Sequence, residues 1–359
     1  MTAQAKVDLE SLPRVSVDAL RSFMATGFAK AGIPEEDAAI AADILIESDL
    51  RGIESHGVAR FERAYLNGIK EGRINPRPNV RIVNQSPSTA LVDADGGLGM
   101  VTAYRCMSIA IQKAADVGSG FVTATNCRHF GIAGYYSSMA LAHDMMGISM
   151  CNTGGMGNMV PPFGSVGRLG TNPISVAIPA ENGAPFLLDM ATTAVSTGKL
   201  ETYTRKGVPI PEGWAMDDDG RFITDPVQAR QARHYAPLGS RPETSSYKGF
   251  GLGLWVEIFC AILPGHGGAL VGSPGTGHFF GAWRVDGFRA ANEFKAMMDQ
   301  ALDFMRATPP AHGHDRVYVA GDLEHIAKEE RKVKGIPLYP DTVESLRRVS
   351  VATGIPIEL

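Results

Sequence analysis

Two textures meet at Arg73–Pro78, a short stretch that holds two prolines. Before it, the first ~75 residues carry helical periodicity. Ser16 can cap a helix running to about Lys30, Gly32 closes it, and Pro34-Glu35-Glu36 opens the next. After the boundary come short β-rich runs at Val80–Val83, Ala90–Val92, Gly120–Thr125 and Ile148–Cys151. Helical segments near Val101–Val117 and Ala133–His143 lie between them, so the order β–β–α–β–α–β predicts layers of helix and sheet. Further strands are expected at Ser175–Ile178, Phe186–Leu188 and Val317–Ala320, and helices at Thr197–Arg205, Gly249–Leu263 and Ala291–Arg306. From Asp322 onward the chain returns to charged amphipathic helix.

Composition removes several classes of function. The 359 residues are 44% hydrophobic, enough for one large core or two smaller ones, and only 8% aromatic, so the core is mostly aliphatic and methionine. A net charge of −4 with both signs mixed along the chain offers no basic stripe for a phosphate backbone, which argues against a nucleic-acid partner. Met1 to Val15 is polar and lacks a signal-peptide pattern, and the longest nearly apolar run, Phe250 to Leu263, contains Glu257 and is too short to span a bilayer. Four cysteines are scattered without a CxxC pair. The expectation is a cytoplasmic protein with reduced thiols and no membrane partner. Gly147 to Pro179 is dense in glycine and proline and poor in charge, more apolar than a free surface tolerates, which predicts a homodimer or a multiple of one.

The stretch Asp49-Leu-Arg-Gly-Ile-Glu-Ser-His-Gly-Val-Ala-Arg60 carries the chemistry. It follows the apolar-periodic segment Glu35 to Leu50 and precedes another, Arg60 to Lys70. Ser55 therefore reads as an N-cap, with His56 in the first turn and Arg60 one turn on, on the same face. Imidazole exchanges a proton near neutral pH, a helix N-terminus disfavours its charged form, and guanidinium grips a carboxylate through two parallel hydrogen bonds. That combination suits a dehydrogenase of small 2-oxo or 2-hydroxy acids. A capping serine, a surface histidine and an arginine paired with Glu54 or Glu62 would produce the same pattern.

The usual nucleotide signatures are missing. No GxGxxG follows an expected strand, because Gly155-Met-Gly157 and Gly275-Thr-Gly277 lack the third glycine, and neither GxxxxGK[ST] nor GxSxG occurs. There is no HExxH, and His312-Gly-His314-Asp315 has no obvious further ligand, so no metal is expected. Several shorter motifs remain. His129-Phe-Gly131 sits between a strand and a helix, where ligands collect in α/β proteins. The exposed amides of the Gly170-Thr-Asn-Pro173 turn could cradle an anion, though turn chemistry alone also explains it. Asp189 ends an apolar strand, where it could accept ribose hydroxyls or cap the next helix. Lys248-Gly-Phe-Gly251 opens a helix with small residues and a positive charge.

In this order and spacing, Ser55-His-Gly-Val-Ala-Arg60, His129-Phe-Gly131, Gly170-Thr-Asn-Pro173, Asp189-Met-Ala-Thr-Thr193 and Tyr247-Lys-Gly-Phe-Gly-Leu252 resemble the type-2 malate/L-lactate dehydrogenase family. That family also holds ureidoglycolate, sulfolactate and diketogulonate oxidoreductases and reductases of cyclic imino acids, and the resemblance covers roughly Leu20 to Leu338. It implies an α+β, non-Rossmann fold: a helical part (residues 1–78, joined by a piece at about 307–359) plus a mixed, largely antiparallel sheet domain (79–306) that binds the cofactor. It implies NAD or NADP as cofactor, a small carboxylate substrate, and a homodimer with the site near the subunit interface.

Carried over by position, the resemblance makes His56 and His129 the acid–base candidates and Arg60, with Ser55, the substrate ligands. The cofactor would lie against Ser149 to Thr153, Gly170, Thr171, Asn172 and Pro173, Asp189, Met190 and Ala191, and Lys248. A Gly-Glu pair of the family appears here as Gly321-Asp322, with a shorter side chain, and the approach to Lys248 from Gly239 is longer than in several members. A 2′-phosphate would need a cation such as Arg128, Arg205 or Lys206. The rival readings are a cyclic imino-acid reductase and, from another class, a hydrolase or binding protein that uses no nicotinamide.

Overall fold

The computed structural model describes residues 11–154, 157–272 and 275–358. Local signals set the first helices: the Ser16 hydroxyl accepts from the Ala19 amide and starts α1 (Val17–Lys30), and Pro34 precedes α2 (Glu35–Leu50). Strand β1 (Arg14–Val15) ahead of them pairs antiparallel with β12 (Ile336–Pro337). The short α3 (Asn67–Lys70) ends the N-terminal helical run. The chain then forms β2 (Arg81–Gln85), β3 (Thr89–Asp93), α4 (Gly99–Val117), β4 (Ser119–Cys127), α5 (Ala133–Met139), β5 (Met145–Cys151), β6 (Ile174–Ile178) and β7 (Phe186–Met190). A small lobe follows: α6 (Thr197–Lys206), β8 (Ala215–Met216), β9 (Phe222–Ile223), α7 (Pro226–Ala232) and β10 (His234–Tyr235), its three strands ordered β10-β8-β9. Then come α8 (Ser246–Glu257), β11 (Thr276–Arg284), α9 (Ala291–Arg306), α10 (Asp322–Lys334) and α11 (Pro340–Thr353).

The central sheet has seven strands in the order β2-β3-β4-β11-β5-β6-β7. Only β3 and β4 run parallel; every other neighbouring pair is antiparallel. The fold is thus α+β and non-Rossmann, as expected. Alternation along β11 sorts the two faces: Phe280 and Ala282 enter the main core, and Phe279 enters a second cluster with Val256 and Cys260 from the α8 region.

The structure departs from the sequence expectations at several places, the unexpected β1, β8 to β10, α7 and β12 among them, and three further departures follow. Strand β11, at the centre of the sheet, was not anticipated. Its glycines hide it from pattern reading, and they are there for close packing: a Cβ at Gly277 would lie 1.9 Å from the Cys260 carbonyl oxygen, and one at Gly281 2.8 Å from the Phe121 ring. Val317–Ala320 is not a strand; it gives the sheet one bond, Leu187 N–H to the Ala320 carbonyl. Finally, Ser55 is not an N-cap. Glu54–His56 and Val58–Arg60 are two 3₁₀ turns broken at Gly57, and Phe61–Leu66 is a π-helical turn, so His56 and Arg60 do not share a regular helical face.

Candidate active site

The break at Gly57 has an identifiable cause. Asp49, at the end of α2, is buried, and its carboxylate accepts the Val58 amide at 2.6 Å. A Cβ on residue 57 would lie 2.1 Å from that carboxylate, so only glycine lets the backbone cross it. From α10, Arg331 donates to the Asp49 carbonyl at 2.5 Å and to Glu54 at 2.5 Å. A side chain far along the sequence thus pins the turn that carries His56. Burial drives the Asp49 carboxyl up to about 8.

His56 and His129 come together with stacked rings, centroids 5.4 Å apart and planes 19° from parallel. Ser55 Oγ lies 2.9 Å from His56 Nδ1, which leaves Nε2 as that ring's open nitrogen. At His129, Nδ1 accepts the Gly131 amide at 3.3 Å and faces the Tyr65 hydroxyl at 2.7 Å. An amide can only donate, so Nδ1 carries no proton, Tyr65 donates to it, and the His129 proton sits on Nε2. Burial first and Arg60 second lower His56 to about 4. Burial, His56 and Arg60 hold His129 well below the ordinary histidine range. Both rings are neutral at pH 7.

Arg60 anchors through Nε to the Ser55 carbonyl at 2.7 Å. Glu54 is taken by Arg331, and Glu62 by Arg348 and Ser345, so the ion pairs that would have made Arg60 structural are not formed. Among the described residues, Arg60 has no ion pair, and its outer nitrogens are open to a ligand. Ser55 and Arg60 line a cleft of about 720 Å³ between this segment, α6 and α11.

Most of the expected cofactor contacts lie at one edge of the sheet, at the carboxyl ends of β5 and β7 and just before the amino end of β6. Ser149 is buried and donates to the Ala133 carbonyl at 2.7 Å, a structural bond. The Gly170–Pro173 turn is tightly built: a Cβ at Gly170 would meet Thr153 Oγ1 at 1.5 Å, and Asn172 takes φ +38°. Thr192 ties this turn to the strand end, donating its amide to Thr171 O at 2.9 Å and its hydroxyl to Asn172 O at 3.0 Å. Asn172 and Asn152 both donate to the buried Glu257 of α8, at 2.9 and 3.2 Å. Asp189 accepts the Gly134 amide at 2.7 Å, so it does hold a helix start, that of α5. Its second oxygen has no partner among the described residues, and burial raises the carboxyl to about 6. Met190 closes β7, and Ala191 follows it into the turn held by Thr192.

Two expected contacts look different in place. Lys248 is exposed on the first turn of α8, its Nζ 5.9 Å from the Tyr247 ring centre. Asp322 is buried and ion-paired with Arg306 at 2.8 Å, while Gly321, at φ +96°, packs against the Leu187 backbone two residues before Asp189. Arg128 donates to the Arg73 and Cys127 carbonyls, Lys206 lines the cleft, and the Arg205 side chain lies outside the described residues. Motif reading did not single out Asp49, Tyr65, Asn152 and Glu257. For Asp49, an acidic residue on an apolar-periodic helix just before a glycine was the available signal; for Tyr65 there was none.

A family model described as malate/L-lactate dehydrogenase matches residues 15–347. The malate dehydrogenase of Pyrococcus horikoshii is 41% identical over 354 residues, covering 96% of this chain and 97% of that protein. The L-sulfolactate dehydrogenase of Methanocaldococcus jannaschii is 38% identical over 97% of each chain. Among solved structures, malate dehydrogenase from Entamoeba histolytica superposes with a TM-score of 0.92 at 34% identity, over 97% of this chain and all of that one.

Proposed function

The chain belongs to the malate/L-lactate dehydrogenase family, and from that premise we propose how this nicotinamide-dependent oxidoreductase handles a small 2-hydroxy or 2-oxo acid. The observation that carries the reading is the neutral His56–His129 stack beside the unpaired guanidinium of Arg60. Arg60 fixes the substrate carboxylate through its outer nitrogens. His129 points an N–H at the C2 oxygen through Nε2, held in that tautomer by Tyr65 and Gly131. His56 exchanges the proton with the same oxygen through Nε2. In oxidation Nε2 receives the hydroxyl proton, and Ser55 Oγ accepts from Nδ1. Substrate at Arg60 removes part of the repulsion that keeps His56 neutral, so binding itself prepares the ring to hold a proton.

The residues fit a nicotinamide dinucleotide. The unpartnered oxygen of Asp189 is an acceptor for a ribose hydroxyl, and the tightly held Gly170–Asn172 turn beside it offers a fixed backbone edge. When bound, the cofactor supplies or removes the hydride at C2. We read residues 1–78 with 307–359 as one unit and 79–306 as the cofactor-binding domain; the β1–β12 pairing supports this. Exposed Trp255, Ile258, Ile262, Leu263, Leu270 and Val271 along and beyond α8 support a homodimer. The four cysteines are buried and unpaired, which supports the cytoplasmic reading, and no helix among the described residues is long and apolar enough to cross a membrane.

The deciding experiment titrates the protein with NADH and with NADPH by fluorescence, then screens 2-oxo acids and cyclic imino acids for turnover. We expect one cofactor to bind more tightly and 2-oxo acids to be reduced. No fluorescence change with either cofactor would sink the reading, and turnover confined to imino acids would move it to C=N reduction.

A further inference from the structure

Strand β11 carries a buried polar group that its packing does not require. His278 is fully buried and, by alternation, shares the sheet face of Phe280 and Ala282, which enter the main core. Its Nε2 lies 3.1 Å from the Arg128 carbonyl oxygen; a carbonyl can only accept, so Nε2 carries the proton and donates it. Burial lowers the ring to about 3, which keeps it neutral and leaves Nδ1 a bare acceptor. That nitrogen has no hydrogen-bond partner among the described residues. An unpaired buried acceptor costs stability, and a phenylalanine or leucine here would carry none. The reason for a histidine therefore lies in the bond that its other nitrogen makes.

That bond falls beside His129. Each carbonyl flanking His129 is held by one buried ring: His278 donates to the Arg128 carbonyl, and the Tyr136 hydroxyl of α5 donates to the Phe130 carbonyl. Both rings stack on Phe130, with centroids 4.7 and 5.1 Å away and planes 29° from parallel. Both also meet Phe280 edge-on, at 5.9 and 5.7 Å. Helix α4 closes on the same peptide, since a Cβ at Gly99 would lie 2.0 Å from the Arg128 carbonyl oxygen and 2.5 Å from that of His129. Tyr65 and Gly131 decide which nitrogen of His129 carries the proton, whereas this ring cluster decides where the backbone beneath it sits.

From this arrangement, and resting on the role given to His129 above, we propose that His278 is a positioning residue for the reaction. Its bond to the Arg128 carbonyl fixes the exit of β4 so that the His129 Nε2–H stays aimed at the C2 oxygen of the substrate. His278 acts on the chemistry only through His129, and its unpaired Nδ1 is the stability given up for that placement.

Two substitutions separate the bond from the ring. His278→Phe keeps an aromatic ring against Phe130 and removes the donor, whereas His278→Gln keeps an N–H in the place of Nε2 and removes the ring. His278→Phe should lower kcat for 2-oxo acid reduction about ten- to hundredfold, the cost of misplacing a reacting group by roughly 1 Å. Cofactor KM should stay within about twofold and Tm within about 3 °C, because the lost hydrogen bond is offset by removal of the unpaired nitrogen. His278→Gln should recover kcat to within about fivefold of wild type, since the donor is retained. Added to His129→Ala, His278→Phe should cost nothing further, because it acts through a ring that is no longer there. In 15N-histidine-labelled protein the His129 imidazole, protonated at Nε2 in the wild type, should show mixed tautomers in His278→Phe. An unchanged kcat or His129 signal, a further loss on top of His129→Ala, or a fall in Tm that tracks the fall in kcat would overturn the positioning role. Equal losses in His278→Phe and His278→Gln would overturn it as well, by assigning the effect to ring shape. If His129→Ala left kcat unchanged while the His129 signal still responded to His278→Phe, the hold on the ring would stand and the acid–base reading of His129 would fall.

Discussion

The two sides of the site are held by opposite means. The His56–Arg60 side is irregular backbone, two 3₁₀ turns and a π-turn, fixed by one buried carboxylate accepting one amide and by an arginine from α10. The Gly170–Thr193 side is a turn between regular strands, fixed by Thr192 and by two asparagine amides on Glu257. The first arrangement leaves the reactive side chains free: His56 Nε2, His129 Nε2 and the outer nitrogens of Arg60 have no hydrogen-bond partner among the described residues. The second, apart from one oxygen of Asp189, spends its side chains on itself and presents backbone. Proton transfer and carboxylate binding need unpaired side chains, whereas holding a long cofactor needs shape, so the division follows the chemistry.

The largest effect should come from removing the free imidazole. His56→Ala is expected to lower kcat by ~10²–10⁴-fold while leaving NAD(P)H binding, read by fluorescence, unchanged. An equal loss from His129→Ala with little from His56→Ala would transfer the acid–base role to His129, and loss of cofactor binding would erase the contrast between the two sides. The pH profile sharpens the same point. Because burial and Arg60 lower His56 to about 4, kcat/KM for hydroxy-acid oxidation should be level through neutral pH and decline only near pH 4. A decline centred near 6.5 would mean that the ring is solvated like an ordinary histidine.

Next in size is Arg60→Lys, which keeps the charge and loses the fork. Substrate KM should rise and kcat should fall, together on the order of 10²-fold in kcat/KM. Combined with His56→Ala it should cost less than the sum of the two, since both act on one bound substrate. Asp189→Ala tests the other side. With one oxygen on the Gly134 amide and one unpartnered, it should raise the cofactor KM about tenfold with kcat little changed. A collapsed kcat at unchanged KM would place Asp189 in the chemistry instead.

Much of this arrangement was legible in the sequence where short-range chemistry decides. Ser16, Pro34, the alternating runs of β3 to β7 and the amphipathic α9 to α11 announce themselves through caps, period and turn residues. The fold class and the order of the motifs followed from these and from the resemblance. What escaped was set by contacts between distant segments. Gly277 and Gly281 make β11 look like a loop because Cys260 and Phe121 occupy the space their side chains would need. The α-helical register assumed for Ser55–Arg60 fails because Asp49 takes the Val58 amide, which no local propensity encodes. Ser55 had the composition of a cap, yet its hydroxyl serves His56.

The smallest expected effect on turnover, and the most direct probe of how the reactive side is held, is Asp49→Asn. Burial raises the Asp49 carboxyl from 3.8 to about 8, so the folded protein keeps this proton through neutral pH while the unfolded chain releases it above about 4. The stability tied to this group is therefore full below pH 4 and drains away as pH climbs towards 8. Asparagine has nearly the shape of the protonated acid, retains an oxygen for the Val58 amide and does not titrate. In urea denaturation, the fall in stability between pH 5 and pH 8 should shrink by on the order of 2 kcal/mol relative to wild type, with kcat within about threefold. Asp49→Ala is the counterpart: it strands the buried Val58 amide, costs about 1–3 kcal/mol at every pH and loosens the turn that carries His56. If Asp49→Asn left the pH dependence untouched, the carboxylate would be charged in the folded protein. Arg331 would then be its counter-ion rather than a clamp on the backbone, and the two sides of the site would both be held by ordinary ion pairing and hydrogen bonding.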